Sequence, residues 1–296
     1  LHLLLESKLK GLLIMETKLV GRKVEVTISP ELPTAIIGER INPTGRKKLA
    51  EALRVGDMEH VRQLAVSQME SGAQVIDVNV GAAGVDEEIL LPRAVETVAS
   101  ATGLPICIDS PHEKALPAAL KICGGKPLIN SVNGEEASLE RVLPLVKEFN
   151  AAVIGLTMDD DGIPDTAEGR LRVAEKIVER AAKMGIGPER ILIDCLALTV
   201  GADHRAGLIT LQSIRLVREK LGVNLALGAS NVSHGLPDRD LLNNYFIALA
   251  IAAGVNCPIV DPAKAHGAVI IADLLTGRDE WSQNYLAYYR ATHPDS

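Results

Sequence analysis

One pattern constrains this chain more than any other. A short apolar run recurs eight times along it, and most of the runs close in an acid or an amide before a segment of helical spacing begins. The runs are Thr34–Ile37, Gln74–Val80, Pro105–Asp109, Pro127–Asn130, Ala152–Thr157, Ile191–Asp194, Asn224–Gly228 and Pro258–Val260. Continuous apolar runs, without in/out alternation, mark strands covered on both faces, and hence a parallel sheet. Eight such units in 296 residues, with no linker or low-complexity break, predict a single-domain α/β fold, the closed (β/α)8 or TIM barrel.

The intervening segments read as helices. Asp57 is placed to cap one that carries Val61, Leu64, Ala65 and Met69 and ends at Gly72. Others are expected over about 86–100 (with Ile89, Val95 and Val98), 113–123, 138–149, 211–221, 241–253, 265–275 and 280–289. Asp165 with Glu168 suggests a capping box before the stripe Leu171, Ala174, Ile177, Val178 and Ala181. Ahead of the repeats, the alternation Lys23–Ile28 after Gly21, stopped by Pro30 and Pro33, predicts a short hairpin. Residues 1–33 thus form an N-terminal extension and 34–296 the barrel with a C-terminal helix. Leu1–Ile14 is leucine-rich but interrupted by Glu6, Lys8 and Lys10, with no cleavage site for a signal peptide. It is read either as an upstream remnant before a natural start at Met15 or as a short amphipathic helix.

Composition narrows the function. A net charge of −7 and only 2% aromatic residues exclude a general nucleic-acid binder, which needs a basic face or stacking platforms. No apolar run approaches the ~20 residues of a membrane helix. Cys107, Cys123, Cys195 and Cys257 show no CxxC spacing and read as reduced, mostly buried thiols of a cytoplasmic protein.

The polar strand ends carry the chemistry: Asn42 just past the first, then Asp77 and Asn79, Asp109, Asn130, Asp194, Asn231 and Asp261. In a barrel all strand C-termini open on one face, where ligands bind. One Asp after a strand is ordinarily a helix cap or turn former, but a succession of them describes a shared site. Phosphate calls for cations or glycine-rich amides, and apart from Arg40 and Arg46 this face offers neither. Asp77, Asp109 and Asp194 could hold a divalent ion, but no histidine joins them at a strand end, so a catalytic zinc site is not expected, and no residue is assigned to a metal. Acids with amides suit a neutral heterocycle. A 2-amino-4-oxo-pyrimidine edge offers donors to carboxylates and acceptors to an amide, and Asp109, Asn130 and Asp194 could read it together.

On these residues the chain resembles the pterin-binding methyltransferases: methyltetrahydrofolate:corrinoid methyltransferases and the folate domain of cobalamin-dependent methionine synthase. The likeness runs from about Thr34 to Leu275 through Ile37-Gly-Glu-Arg-Ile-Asn42, Asp77-Val-Asn-Val-Gly81, Ile108-Asp-Ser110, Ile129-Asn-Ser131, Gly155-Leu-Thr157, Ile193-Asp194 and Gly228-Ala-Ser-Asn-Val-Ser233. Any one motif is weak; seven in order, each at an expected strand end, are specific. The resemblance implies that Asp109, Asn130 and Asp194 hydrogen-bond the pterin, with Asp77, Asn79, Asn42 and Ser233 around it. It sets Asn231 near N5 of the folate and matches Arg239 to a family arginine. Asn231, Asp194 and Asp109 are the expected catalytic residues. His234 departs from the family pattern.

The implied reaction is methyl transfer between a corrinoid and N5 of tetrahydrofolate, with tetrahydrofolate or methyltetrahydrofolate as substrate. An Asp-x-His-x-x-Gly corrinoid signature is absent from these residues. The corrinoid is therefore expected on a separate partner protein, and the enzyme as a homodimer. The favoured direction is from methyl-corrinoid to tetrahydrofolate, as in anaerobic O- or N-demethylation. The alternatives are the reverse, as in acetyl-CoA synthesis, a dihydropteroate synthase-like enzyme, or a non-enzymatic pterin carrier. The synthase reading is disfavoured because its expected lysine after the seventh strand is missing, and Lys264 stands alone after the eighth.

Overall fold

A computed structural model of the chain describes residues 15–293. The two readings of Leu1–Ile14 lie outside the described residues. A two-stranded antiparallel hairpin, β1 (Thr17–Val20) and β2 (Glu25–Ile28), precedes the barrel. Its strands are β3 (Ile37–Ile41), β4 (Val75–Val78), β5 (Ile106–Asp109), β6 (Leu128–Asn133), β7 (Ala152–Leu156), β8 (Ile191–Asp194), β9 (Asn224–Gly228) and β10 (Cys257–Val260). All pair in parallel in sequence order, and β10 returns to β3 to close the ring.

The helices are α1 (Lys47–Arg54), α2 (Met58–Glu70), α3 (Glu87–Thr102), α4 (Ala115–Cys123), α5 (Glu136–Glu148), α6 (Ala167–Lys183), α7 (Ala206–Leu221), α8 (Arg239–Ala253), α9 (Pro262–Leu275) and α10 (Gln283–Thr292). Asp57 caps α2 by accepting the Glu59 and His60 amides, and Asp86 caps α3 in the same way.

Several expected boundaries move. The first strand lies at 37–41, not 34–37, so Gly38-Glu-Arg-Ile belongs to the strand and not to the loop. The register shifts between Gly38 and Ile41, which lets polar residues occupy a strand that still pairs on both sides. The helix α1 was not foreseen; it is short and lacks a side-chain cap, so it leaves little local signal. The cap of α6 is Thr166, whose hydroxyl takes the Gly169 amide, rather than Asp165. The helix α7 begins at Ala206, five residues before the expected Leu211, and it too has no side-chain cap to announce it. Ile89 faces water at 61% exposure, and Leu90 and Leu91 take the core positions instead.

Two apolar clusters hold the barrel. The larger one fills the space between the outward strand faces (Ile36, Ile76, Val78, Ile108, Ile129, Ile193 and Leu227 among them) and the helices. The smaller one fills the barrel itself: Ile37, Val75, Cys107, Leu128, Ile154, Leu192, Ala226 and Cys257 point inward. Leu19, Val26 and Ile28 of the hairpin belong to this inner cluster. The hairpin is therefore a plug in the barrel floor, at the end opposite the strand C-termini. Polar contacts fix it there: Asn224 donates to the Ile28 carbonyl and the Thr17 hydroxyl, and Val20 pairs with Lys126. All four cysteines are free and buried. Among the described residues no helix is long and apolar enough to cross a membrane.

Candidate active site

The inward residues of the middle layer fix what comes above them, because side chains alternate along a strand. Two residues beyond Val75 stands Asp77; beyond Cys107, Asp109; beyond Leu128, Asn130; beyond Leu192, Asp194; beyond Ile37, Glu39. The same parity brings Leu156, Gly228 and Ile259 to the top of β7, β9 and β10. The barrel therefore changes from apolar to polar within one layer: β3 to β6 end in acids and an amide, and Asp194 on β8 stands among the apolar or small ends of β7, β9 and β10.

The acids and amides stand in pairs. Asn79, just past β4, donates its amide to Asp109 Oδ2 at 2.9 Å. Asn130 donates to Asp77 Oδ1 at 3.2 Å. Asp77 is nearly fully buried, whereas Asp109 and Asn130 are half-buried at the surface of the mouth. Each upper group is thus oriented by a neighbour on the adjacent or next-adjacent strand. Burial, and then the proximity of Asp109, push the Asp77 carboxyl well above the usual carboxylate range. Burial raises Asp109 to about 6; the Asn79 hydrogen bond opposes this and the Glu87 charge adds to it. Glu87, first residue of α3, is in turn tied to the Ser110 hydroxyl at 2.9 Å.

Asp194 is held differently. Its two oxygens accept backbone amides, Leu196 on Oδ1 at 2.7 Å and Gly228 on Oδ2 at 3.0 Å. Burial still raises it to about 6, against those bonds and the positive charge of Arg170. Leu196 takes a left-handed backbone conformation, φ 57°. Arg170, 1% exposed, clamps that turn: its guanidinium donates to the Cys195 and Leu196 carbonyls at 2.6 and 2.8 Å and to the Pro164 carbonyl at 3.0 Å.

Asn231 lies on a 3-10 turn, Ala229–Ser233, that follows β9 directly. The turn is anchored by buried Ala229 and Val232, and its own side chain is exposed in the mouth. A Cβ placed on Gly228 would lie 3.8 Å from Asp194 Oδ2 and 3.9 Å from Asn231 Nδ2, so those two side chains flank one spot. From behind, Arg239 donates to the Ser230 carbonyl at 2.9 Å and the Ser233 hydroxyl at 3.1 Å. From the side, Val200 donates to the Val232 carbonyl, and the Thr199 hydroxyl to the His234 carbonyl.

Of the residues named from sequence, Asp77, Asn79, Asp109, Asn130, Asp194 and Asn231 come together at the mouth. Ser233 is fully buried, and its hydroxyl serves the turn. Arg239 braces that turn from outside. Asn42 is used in the loop after β3, where its side chain accepts the Thr44 amide at 3.0 Å. Lys264 is paired with Asp240 at 2.8 Å. Among the described residues no group of three or more His, Cys, Asp or Glu side chains is arranged to hold a metal ion.

Sequence reasoning passed over Glu39 and Arg170. Glu39 stands one strand over from Asp77, accepts the Ser230 hydroxyl on Oε2 at 3.3 Å and lies 3.5 Å from Arg46. Arg40, next to it, pairs with Asp261 at 3.3 Å. The signal for Glu39 was its place two residues after Ile37; the wrong strand boundary hid it. Nothing in the sequence marks Arg170 apart from the other arginines of a solvated-looking helix.

A barrel whose inner strand ends are lined in this way belongs, by sequence, to the pterin-binding enzymes: the model of that family matches residues 38–261. The methylcorrinoid:tetrahydrofolate methyltransferase of Eubacterium limosum is 32% identical over 263 residues, 86% of this chain and 96% of that protein. The methionine synthase of Mycobacterium tuberculosis is 31% identical over 252 residues, 81% of this chain but only 21% of that longer protein. Among solved structures, dihydropteroate synthase of Yersinia pestis superposes with a TM-score of 0.67 over 88% of this chain and all of that one, at 18% identity. The Xanthomonas albilineans dihydropteroate synthase gives 0.66 over 88% of this chain and 98% of that one, at 20% identity. At such identities the likeness is one of fold.

Proposed function

We propose that this chain is an enzyme that transfers a methyl group between a corrinoid and N5 of tetrahydrofolate, as its family relatives do. The observation that carries the reading is the set of inward strand ends, Asp109, Asn130 and Asp194, with Asn231 beside Asp194 at the end of β9. Asp109 and Asp194, ionised above about pH 6, suit the amino and ring N–H donors of a pterin. Asn130, its amide nitrogen engaged by Asp77, turns its carbonyl oxygen toward further donors of the ring. Asp77 and Asn79 act by orienting Asn130 and Asp109. Ser233 and Arg239 act by holding the turn that presents Asn231. Leu156 and Ile259 offer the ring an apolar flank.

The N5 methyl of methyltetrahydrofolate is a poor electrophile, because its leaving group would be a strongly basic nitrogen anion. A proton on N5 makes the leaving group a neutral amine, and a hydrogen bond there stabilises the developing charge; each lowers the barrier. Asn231 cannot ionise in the ordinary pH range. Its role is to hydrogen-bond N5 and stabilise the charge that develops there. The corrinoid supplies the cobalt that carries or accepts the methyl group. It arrives on a separate protein that docks over the mouth, and the enzyme works as a homodimer in the cytoplasm. The direction favoured is from methyl-corrinoid to tetrahydrofolate, in line with the 32% identical relative, whose name describes a methylcorrinoid and tetrahydrofolate.

The test is turnover. Protein, tetrahydrofolate and methylcobalamin, or a methylated corrinoid protein, are mixed anaerobically and the cobalt absorption spectrum is followed. Demethylation with formation of methyltetrahydrofolate supports the reading. Tight folate binding with no demethylation would leave a pterin carrier.

A further inference from the structure

Asn231 leaves one requirement unmet: some group must take or give the N5 proton. Three of the strand-end carboxyls are already committed. Asp194 has a backbone amide on each oxygen. Asp77 is nearly fully buried beneath the Asn130 amide. Asp109 holds Asn79 and faces the pterin edge. Glu39 has a different surrounding. Its Oε2 accepts the hydroxyl of Ser230, the residue before Asn231. Its Oε1 faces Arg46 at 3.5 Å. Arg40 and Asp261, paired with each other, stand beside it, and its charge is felt by the Asp77 carboxyl on β4.

Resting on the methyl-transfer reading, we propose that Glu39, acting through the Ser230 hydroxyl, is the proton store of the reaction at N5. In transfer to tetrahydrofolate, the N5 lone pair forms the nitrogen–carbon bond. The cobalt–carbon bond breaks with its electron pair remaining on cobalt, which goes from cobalt(III) to cobalt(I). N5 then carries one proton too many. The Ser230 oxygen takes it and passes its own hydrogen to the Glu39 carboxylate, along the hydrogen bond already present. In the opposite direction Glu39 gives the proton back by the same route, and the leaving amine departs neutral. Burial supports the assignment by raising Glu39 above the ordinary carboxylate range, with Arg46 opposing it in part. The direction of that shift favours the protonated carboxyl, as a group that stores a proton requires.

The experiment compares wild type, E39Q, E39D and S230A. Single-turnover methyl transfer from methyltetrahydrofolate to cob(I)alamin is followed from pH 5.5 to 8.5, and tetrahydrofolate binding is measured by calorimetry. The wild-type rate should fall as pH rises, because the store empties. E39Q should lose about a hundredfold or more in turnover, change tetrahydrofolate affinity by less than about threefold, and show a flattened pH profile. E39D should keep a sloping profile at reduced rate, and S230A should fall between wild type and E39Q. An E39Q variant that keeps the wild-type pH profile, or that loses binding as much as turnover, overturns the proposal. Wild type that binds tetrahydrofolate yet transfers no methyl group overturns the underlying reading as well.

Discussion

Replacing Asp194 with Asn tests how this site is built. In the folded protein the Asp194 carboxyl binds its proton more tightly than an ordinary carboxyl does, at about 6 against 3.8. A raised carboxyl stabilises the fold fully below pH ~4 and loses that contribution as pH rises through about 6. The shift of about two units corresponds to roughly 3 kcal/mol, a sizeable share of a total stability of about 5–15 kcal/mol. Asn cannot ionise, so D194N escapes this loss. It keeps one good acceptor for two backbone amides, Leu196 and Gly228, and its NH2 group must face the other, at a cost of about 1–3 kcal/mol. D194N should therefore be clearly less stable than wild type near pH 4.5 and close to it, or more stable, near pH 8. Thermal melts at a series of pH values read the difference, which should move by several degrees across that window. The other carboxylates cancel in the comparison. Parallel melting curves for the two proteins from pH 4.5 to 8 would refute the reasoning.

Other perturbations test other parts of the structure. N231A should lower turnover by about a hundredfold while tetrahydrofolate affinity changes little; equal losses in both would contradict its role at N5. R170K keeps the charge but cannot reach three carbonyls with one fork. It should lower stability by about 2–4 kcal/mol, seen in urea unfolding, and weaken folate binding by loosening the turn that holds Asp194. Leu19→Ala, at a fully buried position in the floor plug, should cost about 2–5 kcal/mol in the same unfolding assay, with kcat at low temperature unchanged because the floor is far from the mouth.

Much of this was legible from sequence because parallel strands buried on both faces must be written as unbroken apolar runs. A run of that kind survives in the sequence wherever its helices pack. The acids and amides were legible for the same reason: Asp109, Asn130 and Asp194 end such runs, and only the mouth of a barrel gives them water or a ligand. The N-cap Asp57 was visible because its bonds are local. Glu39 failed this reading because β3 is polar for half its length and shifts register, so a run-based boundary stopped at Ile37. Thr166 was missed in favour of Asp165 because neighbouring cap residues compete on geometry that sequence does not contain.

Tertiary structure alone decided which polar residue faces which. That Asn79 belongs to Asp109 and Asn130 to Asp77 depends on the offset between strands, and no spacing within one strand records it. Ser233 and Arg239 are named in the sequence for the pterin site; that they also hydrogen-bond the turn carrying Asn231 is visible only in the packing. Arg170, from a helix with charged residues along its exposed face, is drawn into the core by carbonyls that a single left-handed residue exposes. The hairpin, legible as two strands, becomes a floor only because Leu19, Val26 and Ile28 meet the inner layer of the barrel. Sequence alone determined the eight strands, the barrel they close and the chemical character of its mouth, because those follow from local burial patterns. The pairing of the site, the plugged floor and the Glu39 carboxyl at the Ser230 hydroxyl depend on contacts across tens to hundreds of residues, and only the closed barrel brings those together.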